Sequence, residues 1–69
     1  MFDIKKIGSI CRSFRRSLNM TQAEVAKATG YSAGNVGHFE QGRNDNLNIF
    51  LWYIMNGLDI EELIRGSIK

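Results

Sequence analysis

Residues 21–42 read TQAEVAKATGYSAGNVGHFEQG, and this stretch decides the fold. It predicts two short helices that are separated only by Gly30, Tyr31 and Ser32. Gly30 is expected to end the first helix in the left-handed conformation, and the Ser32 side chain to cap the start of the second. A glycine-containing turn this short is typical of a helix-turn-helix, in which the N-terminal part of the second helix protrudes from the protein.

The same kind of helix start recurs along the rest of the chain. In each case a small polar capping residue follows a hydrophobic residue that can pack on an apolar side chain five positions later. The matching sets are Phe2-Asp3 with Ile7, Met20-Thr21 with Val25, Tyr31-Ser32 with Val36, and Leu58-Asp59 with Leu63. Glu24 and Glu62 are expected to complete capping boxes. Together with the glycine stops, the pattern predicts helices over 4–17, 22–29, 33–41, 47–56 and 60–65 and no strand.

The composition is that of a small globular domain without disulfide or metal cross-links. The 69 residues have room for one domain, which we expect to span residues 1–69. A single cysteine and a single histidine cannot form an internal disulfide or a four-ligand zinc site, so we expect no metal and no cofactor. The longest apolar run, residues 49–55, is too short for a membrane span, and charged residues interrupt any signal peptide. We therefore expect a reduced, cytoplasmic protein with no membrane partner.

Charge is unevenly distributed along the chain. Residues 1–43 carry seven basic and three acidic side chains, a net charge of +4, whereas residues 44–69 carry two basic and four acidic ones, a net charge of −2. A basic front half suits a protein that presents one side to a polyanion. Solvated helix faces would produce the same modest asymmetry, so charge alone does not decide between the two interpretations.

Several segments carry a resemblance to a known family, namely TQAEVA at 21–26, GYS at 30–32, Val36, FEQG at 39–42 and GLDIEEL at 57–63. They resemble the Cro/CI repressor family, also called the XRE family, and the similarity covers about residues 7–64. The resemblance implies an all-α fold, a five-helix lambda-repressor-like DNA-binding domain with its helix-turn-helix at about 21–42. It also implies double-stranded operator DNA as the partner.

The resemblance implies roles for individual residues. Gln22, at the start of the second helix, is similar to the family's phosphate-contacting glutamine, with the neighbouring backbone N–H groups as additional donors. Further DNA phosphate contacts are implied for Gln41, Arg43 and Asn44. Arg15 and Glu40 match the family's buried arginine–glutamate pair, which we expect to be structural and to join the first helix to the third.

The third helix departs from the family's pattern at its outward positions. The positions expected to face bases or a protein partner are Ala33, Gly34, Asn35, Gly37 and His38. Reading bases requires forked donors and acceptors such as Arg or Lys for guanine and Asn or Gln for adenine. Only Asn35 and His38 have side chains that could hydrogen-bond to a base, and each glycine costs about 1 kcal/mol relative to alanine in a helix. The helix therefore favours weak base reading or close packing on a partner.

The fourth helix is apolar on nearly every side. One stripe is enough to bury it and consists of Leu47, Phe50, Leu51, Ile54 and Leu58. We therefore predict an exposed apolar patch centred on Trp52 that contacts another protein. The predicted protein interface consists of Ile49, Trp52, Tyr53 and Met55. The alternative is that Trp52 packs back against the fifth helix as part of the core.

Two classes of function fit these features. The first is a small Cro-like transcription regulator, from a phage or mobile element, that binds operator DNA as a homodimer. The alternative is a modulator of repression, or antirepressor, that binds a partner repressor protein rather than DNA; an antitoxin of a toxin–antitoxin pair is a further alternative. We expect no enzyme and no small-molecule substrate, because His38 is the only histidine, no serine lies in a nucleophile motif and the glycines lack phosphate-loop spacing.

Overall fold

The computed structural model describes residues 2–68, which form five α-helices. They are α1 (Ile4–Ser17), α2 (Gln22–Thr29), α3 (Ala33–Glu40), α4 (Leu47–Met55) and α5 (Ile60–Ser67). This part of the chain contains no β-strand, and its one isolated β-bridge joins Phe2 to Ile68. The expected all-α fold with a helix-turn-helix is confirmed. α3 and α4 each end one residue before the predicted limit. None of the described helices is both long enough and apolar enough to cross a membrane.

The predicted capping residues occupy the helix starts. Each of the four predicted caps, Asp3, Thr21, Ser32 and Asp59, accepts a hydrogen bond from a first-turn N–H group through its side chain. At α2 the capping box is complete, since Thr21 Oγ1 accepts from the Glu24 N–H at 3.1 Å and Glu24 Oε1 accepts from the Thr21 N–H at 2.9 Å. At α5 Asp59 caps alone, because no return bond from the Glu62 side chain is found among residues 2–68. The predicted second box is therefore wrong.

The end of α5 also differs from the prediction. Gly66 was expected to stop the helix after Arg65, but α5 continues to Ser67. Gly66 instead allows close packing, because a Cβ at this position would lie 2.9 Å from Cδ1 of Ile10 on α1. The Ser67 carbonyl accepts a hydrogen bond from the Asp3 N–H at 2.8 Å. The end of α5 is thereby joined to the start of α1.

The core lies where the first four helices meet. Its buried apolar members are Cys11, Val25, Ala26, Val36, Phe39, Ile49 and Tyr53. Cys11 lies on α1 and is completely buried. Burial, and after it the nearby Glu40 charge, raises the pKa of the Cys11 thiol to about 12. The thiol is therefore protonated at neutral pH and acts as a small core side chain.

α1 approaches the C-terminal end of α3 at very short range because Gly8 has no side chain. A Cβ at Gly8 would lie 2.5 Å from the carbonyl oxygen of Glu40 and 2.6 Å from that of Phe39. Both contacts involve backbone atoms, so no side-chain rotation could relieve them. This approach fixes the C-terminal end of α3 against α1.

α4 buries a different face from the one predicted. Ile49 and Tyr53, two members of the predicted interface, are completely buried. Trp52 is half-buried, and its ring meets the Tyr53 ring edge-on with centroids 5.2 Å apart. Of the predicted patch, only Met55 is exposed.

The apolar side chains that α4 does expose form a stripe one turn apart, which we call the α4 stripe. It consists of Leu47, Leu51 and Met55, which are 63%, 44% and 85% exposed. The Tyr53 side chain explains why α4 buries this face and not the predicted one. Its ring stacks on Phe39 and its hydroxyl donates to Glu40 at 2.5 Å, and those partners exist only in the interior.

Candidate nucleic-acid interface

α2 and α3 are joined by the turn that the sequence predicts. Gly30 adopts a φ of 80°, and its N–H donates to the carbonyl of Ala26 at 2.9 Å, so α2 ends in a left-handed C-cap. Ser32 Oγ accepts from the Asn35 N–H at 3.1 Å and caps α3. The Tyr31 hydroxyl between them accepts from the Asn48 amide at 2.8 Å. The turn is therefore fastened to α4 as well as to the two helices it connects.

The N-terminal end of α3 presents one side to solvent. The exposed residues of this helix are Ala33, Gly34, Asn35 and His38. A Cβ at Gly34 would find the Ser32 Oγ at 3.7 Å as its only neighbour within 4 Å in the described structure. This end of α3 is therefore accessible enough to enter the major groove of a DNA duplex.

Gly37 is an exception among the positions predicted to face outward. It is buried, because the Gln22 side chain lies over it. A Cβ at Gly37 would lie 3.3 Å from Gln22 Oε1 and 3.4 Å from Nε2. Gly37 therefore provides space for a side chain of α2 and does not face bases or a partner.

A buried hydrogen-bond network holds the C-terminal end of α3. Glu40 Oε2 accepts from Arg15 Nε at 2.7 Å and from the Tyr53 hydroxyl at 2.5 Å, while Glu40 Oε1 accepts from Arg15 Nη2 and Gln22 Nε2, both at 3.1 Å. Arg15 Nη1 also donates to the Met20 carbonyl at 2.8 Å. One carboxylate thus joins side chains from α1, α2 and α4 to α3.

The network keeps its charged groups ionised although they are out of water. Burial alone would raise the pKa of Glu40, but hydrogen bonds from Arg15, Tyr53 and Gln22 together outweigh it and lower the pKa below its ordinary value. The hydrogen bond to Glu40 raises the pKa of Arg15. Burial, and then the bond to Glu40, raises the pKa of Tyr53. Arg15 and Glu40 therefore form an ion pair at neutral pH, with every oxygen of Glu40 hydrogen-bonded.

Gln22 lies half-buried at the start of α2, with its amide directed toward the network. An amide nitrogen carries two hydrogens, and the bond to Glu40 uses one of them. The backbone N–H groups of the first turn of α2 are near the same place, since Gln22 is its first residue. Gln22 is therefore a side chain whose position the interior fixes before any ligand arrives.

The remaining predicted phosphate contacts lie beyond the other end of α3. Gln41, its C-cap, and Arg43 are exposed. Asn44 is half-buried. Its side chain joins the loop to α3 by donating to the Asn35 carbonyl at 3.3 Å, and it accepts from the Asn46 N–H within the loop at 3.2 Å. Asn44 therefore has a structural use of its own, whereas Gln41 and Arg43 are open to a ligand.

A basic groove, absent from the predicted site, lies beside the helix-turn-helix. Arg12 and Arg16 of α1 line it together with Gln22 of α2 and Ala33 of α3. Both arginines are exposed. Their i, i+4 spacing places them on one helix face, and this spacing is a signal that the sequence contains. Their position beside α3 follows only from the packing of α1.

The described structure offers no metal centre. Among residues 2–68, no three side chains of His, Cys, Asp or Glu come together as candidate ligands. The one ion-paired cluster that is buried contains an arginine and is fully hydrogen-bonded, so it has no free donor for a metal.

Comparison with known proteins identifies the helical segment. A family model described as a helix-turn-helix domain matches residues 8–47. This match covers more than half of the chain and includes all of α2, the turn and α3. No curated protein and no solved structure matches the chain.

Proposed function

The chain belongs to the helix-turn-helix domain family, a family of DNA-binding regulators, and we propose that it is a small Cro-like transcription regulator. In this proposal, residues 1–69 act as one domain that binds double-stranded operator DNA through α3 in the genetic switch of a phage or mobile element. One observation carries the proposal: the N-terminal end of α3 is exposed while its C-terminal end is fixed in the interior.

Different groups around α3 are suited to position the helix on the DNA and to read its bases. Gln22 at the start of α2, and Gln41 and Arg43 after the C-terminal end of α3, are suited to bind phosphates and orient the helix. Asn35 and His38 are left as the hydrogen-bonding side chains that face base edges, and Ala33 can contact a thymine methyl group.

A charge placed at Gly34 tests this arrangement directly. The space at Gly34 is open, so Gly34→Glu should fold normally, and a glutamate near a helix N-terminus is favourable for the helix. We expect Gly34→Glu to abolish DNA binding, because its carboxylate would meet the phosphates and acceptor-rich groove edges. Gly34→Gln is the matched control, equal in size but uncharged, and should bind DNA. Binding is measured by fluorescence anisotropy on duplexes selected from a random pool.

The outcomes of this experiment separate the proposal from its rivals. Selective loss of binding in Gly34→Glu, with equal thermal unfolding of the two variants, would support it. A wild-type protein that binds no duplex at low salt, where non-specific contacts are strongest, would contradict it. Equal binding by the two variants would also contradict it, because α3 would then lie away from the DNA.

The α4 stripe supports a homodimer as the binding form. Leu47, Leu51 and Met55 are exposed apolar side chains that repeat one turn apart, as in a helix that packs on a second helix. Two copies of the domain would match two half-sites of an operator. The mass of the wild type in solution, measured by light scattering, should be that of a dimer, and Leu51→Lys should yield a folded monomer. A monomeric wild type would overturn the homodimer.

A second candidate function is an antirepressor that binds a partner repressor protein. Its support is the shortage of base-reading side chains at Ala33 and Gly34 together with the exposed α4 stripe. This candidate expects a stable complex with a repressor that survives high salt and contains no DNA. The random-pool selection distinguishes the two, because an antirepressor would enrich no duplex sequence.

A further inference from the structure

The basic groove brings α1 to the same surface as the helix-turn-helix. Arg12 and Arg16 lie one helical turn apart on α1. The first residues of α2 and α3, Gln22 and Ala33, line the same groove. Any strand that runs past the exposed end of α3 on this side therefore passes the two arginines.

The residues that line the groove carry a net positive charge. No acidic side chain lines it, as far as residues 2–68 are concerned. Arg15 also lines the groove, but its guanidinium is already paired with Glu40 in the interior. Arg12 and Arg16 form no ion pair within the described part of the chain, and both are exposed. They thus contribute two positive charges with no structural partner that would explain them.

We propose that Arg12 and Arg16 bind consecutive phosphates of the DNA strand that passes the N-terminal end of α3. The inference rests on the proposed function and extends the interface from the helix-turn-helix onto α1. Guanidinium groups suit this role because their forked donors match phosphate oxygens. The first turn of α2 opens into the same groove and adds the N–H groups of Gln22 and Ala23, which the capping box leaves unpaired in the described structure.

Phosphate contacts from the two arginines affect how the protein recognises DNA. With few side chains on α3 able to read bases, more of the affinity comes from phosphates, and phosphate contacts carry no sequence information. The two arginines therefore raise affinity on every duplex by the same factor. They position α3 in the DNA major groove without changing which bases the helix prefers.

The test measures salt dependence in single-charge variants. Arg12→Gln and Arg16→Gln each remove one positive charge from the groove. Arg65→Gln is the control, because it removes the same charge from α5, where Arg65 pairs with Glu61 at the surface. Binding to a selected duplex and to a random duplex of roughly 20 base pairs, two helical turns, is followed from about 50 to about 200 mM salt.

We expect each groove variant to flatten the slope of log affinity against log salt by about 0.9, the value for one lost phosphate contact on duplex DNA. Affinity at the lowest salt should fall roughly three- to tenfold, equally on both duplexes. The slope for Arg65→Gln should equal that of the wild type. Urea unfolding of all variants checks that the fold is unchanged.

Two outcomes would overturn the inference, and they differ in what else they affect. If the groove variants and Arg65→Gln keep the wild-type slope, α1 does not contact the DNA, but DNA binding and the proposed function stand. If the wild type binds neither duplex, both the inference and the proposed function fail. A loss confined to the selected duplex would show that the arginines read bases, which also contradicts the phosphate role.

Discussion

The two ends of α3 are built in opposite ways. At the C-terminal end, Glu40 accepts four hydrogen bonds from three other helices, and Gly8 brings the backbone of α1 against the last turn. At the N-terminal end, Ala33 and Gly34 are exposed, and in the described structure a Cβ at Gly34 would meet only the side chain of the capping Ser32. The helix is therefore a rod fixed at one end and free at the other.

This difference separates stability from function along eight residues. Changes at the fixed end should affect folding, because buried polar groups that lose a partner are expensive. Changes at the free end should affect binding, because few contacts that stabilise the fold involve this end.

Removal of Arg15 should break the fixed end. Arg15→Met leaves the Glu40 carboxylate buried without its ion-pair partner, which typically costs about 3–5 kcal/mol. That amount is a large part of the stability expected of a small domain. The free energy of unfolding is measured by urea titration followed by helical circular dichroism.

Two variants control for this result. Arg65→Met removes the exposed Arg65–Glu61 pair on α5 and should cost less than about 1 kcal/mol. The double variant Arg15→Met with Glu40→Met removes both buried charges and should recover part of the loss. If Arg15→Met cost no more than Arg65→Met, the network would not hold α3, and the comparison between its ends would fail.

Removal of the Tyr53 hydroxyl should weaken the fixed end by a smaller amount. Tyr53→Phe keeps the ring stacked on Phe39 but takes one donor from Glu40, at a cost of roughly 1.5–3 kcal/mol for a bond to a charged group. Tyr31→Phe is the matched control. It removes a hydroxyl that bonds to Asn48 near the surface, so its loss of stability should be smaller.

The same variant should change the response to acid. The folded-state pKa of Glu40 is lowered, so its ionisation stabilises the fold fully above the ordinary glutamate pKa of about 4.3 and stops doing so as pH falls through the lower folded value. Tyr53→Phe removes one of the bonds that lower this pKa. Less of the variant's stability then depends on the ionisation of Glu40, but the variant starts from a lower stability, so its acid unfolding should begin at a higher pH than in the wild type. Coincident acid transitions would argue against the bond.

The smallest effect compares two glycines of α3. Gly34→Ala places a methyl group in open space and should stabilise the protein by about 0.5–1 kcal/mol through helix propensity. Gly37→Ala has the same propensity gain but brings its Cβ within 3.3 Å of Gln22, so its gain should be smaller. Equal gains in thermal unfolding would mean that Gln22 does not rest on Gly37.

The helix boundaries were predictable because their signals are local. Asp3, Thr21, Ser32 and Asp59 cap the helices they were expected to cap, since a cap depends on a few neighbouring residues. Gly66 was misread for the opposite reason. Its close contact with Ile10 lies across the molecule, and a glycine used for packing looks the same in sequence as a glycine used to stop a helix.

The buried face of α4 could not be found from periodicity. A helix with apolar residues on all sides has more than one stripe that would serve as a core face. Tyr53 settled the choice because its hydroxyl needs a buried partner, and Glu40 supplies it from another helix. The exposed set therefore became Leu47, Leu51 and Met55, with only Met55 in common with the predicted interface.

The candidate site is divided in the same way. The turn and the outward positions Ala33, Gly34, Asn35 and His38 follow from the local pattern of residues 21–42. The burial of Gly37 beneath Gln22, and the position of Arg12 and Arg16 beside α3, do not. They depend on how α1 and α2 cross α3, which no spacing within one helix encodes.

The sequence by itself determined that this protein is a set of five short helices with a helix-turn-helix in the middle, because caps, stops and turns act over a few residues. Only the tertiary structure decided which side of each helix is inside and which groups share a surface. Those choices depend on buried polar groups finding partners from distant parts of the chain, and a buried carboxylate that joins four helices is satisfied in few arrangements.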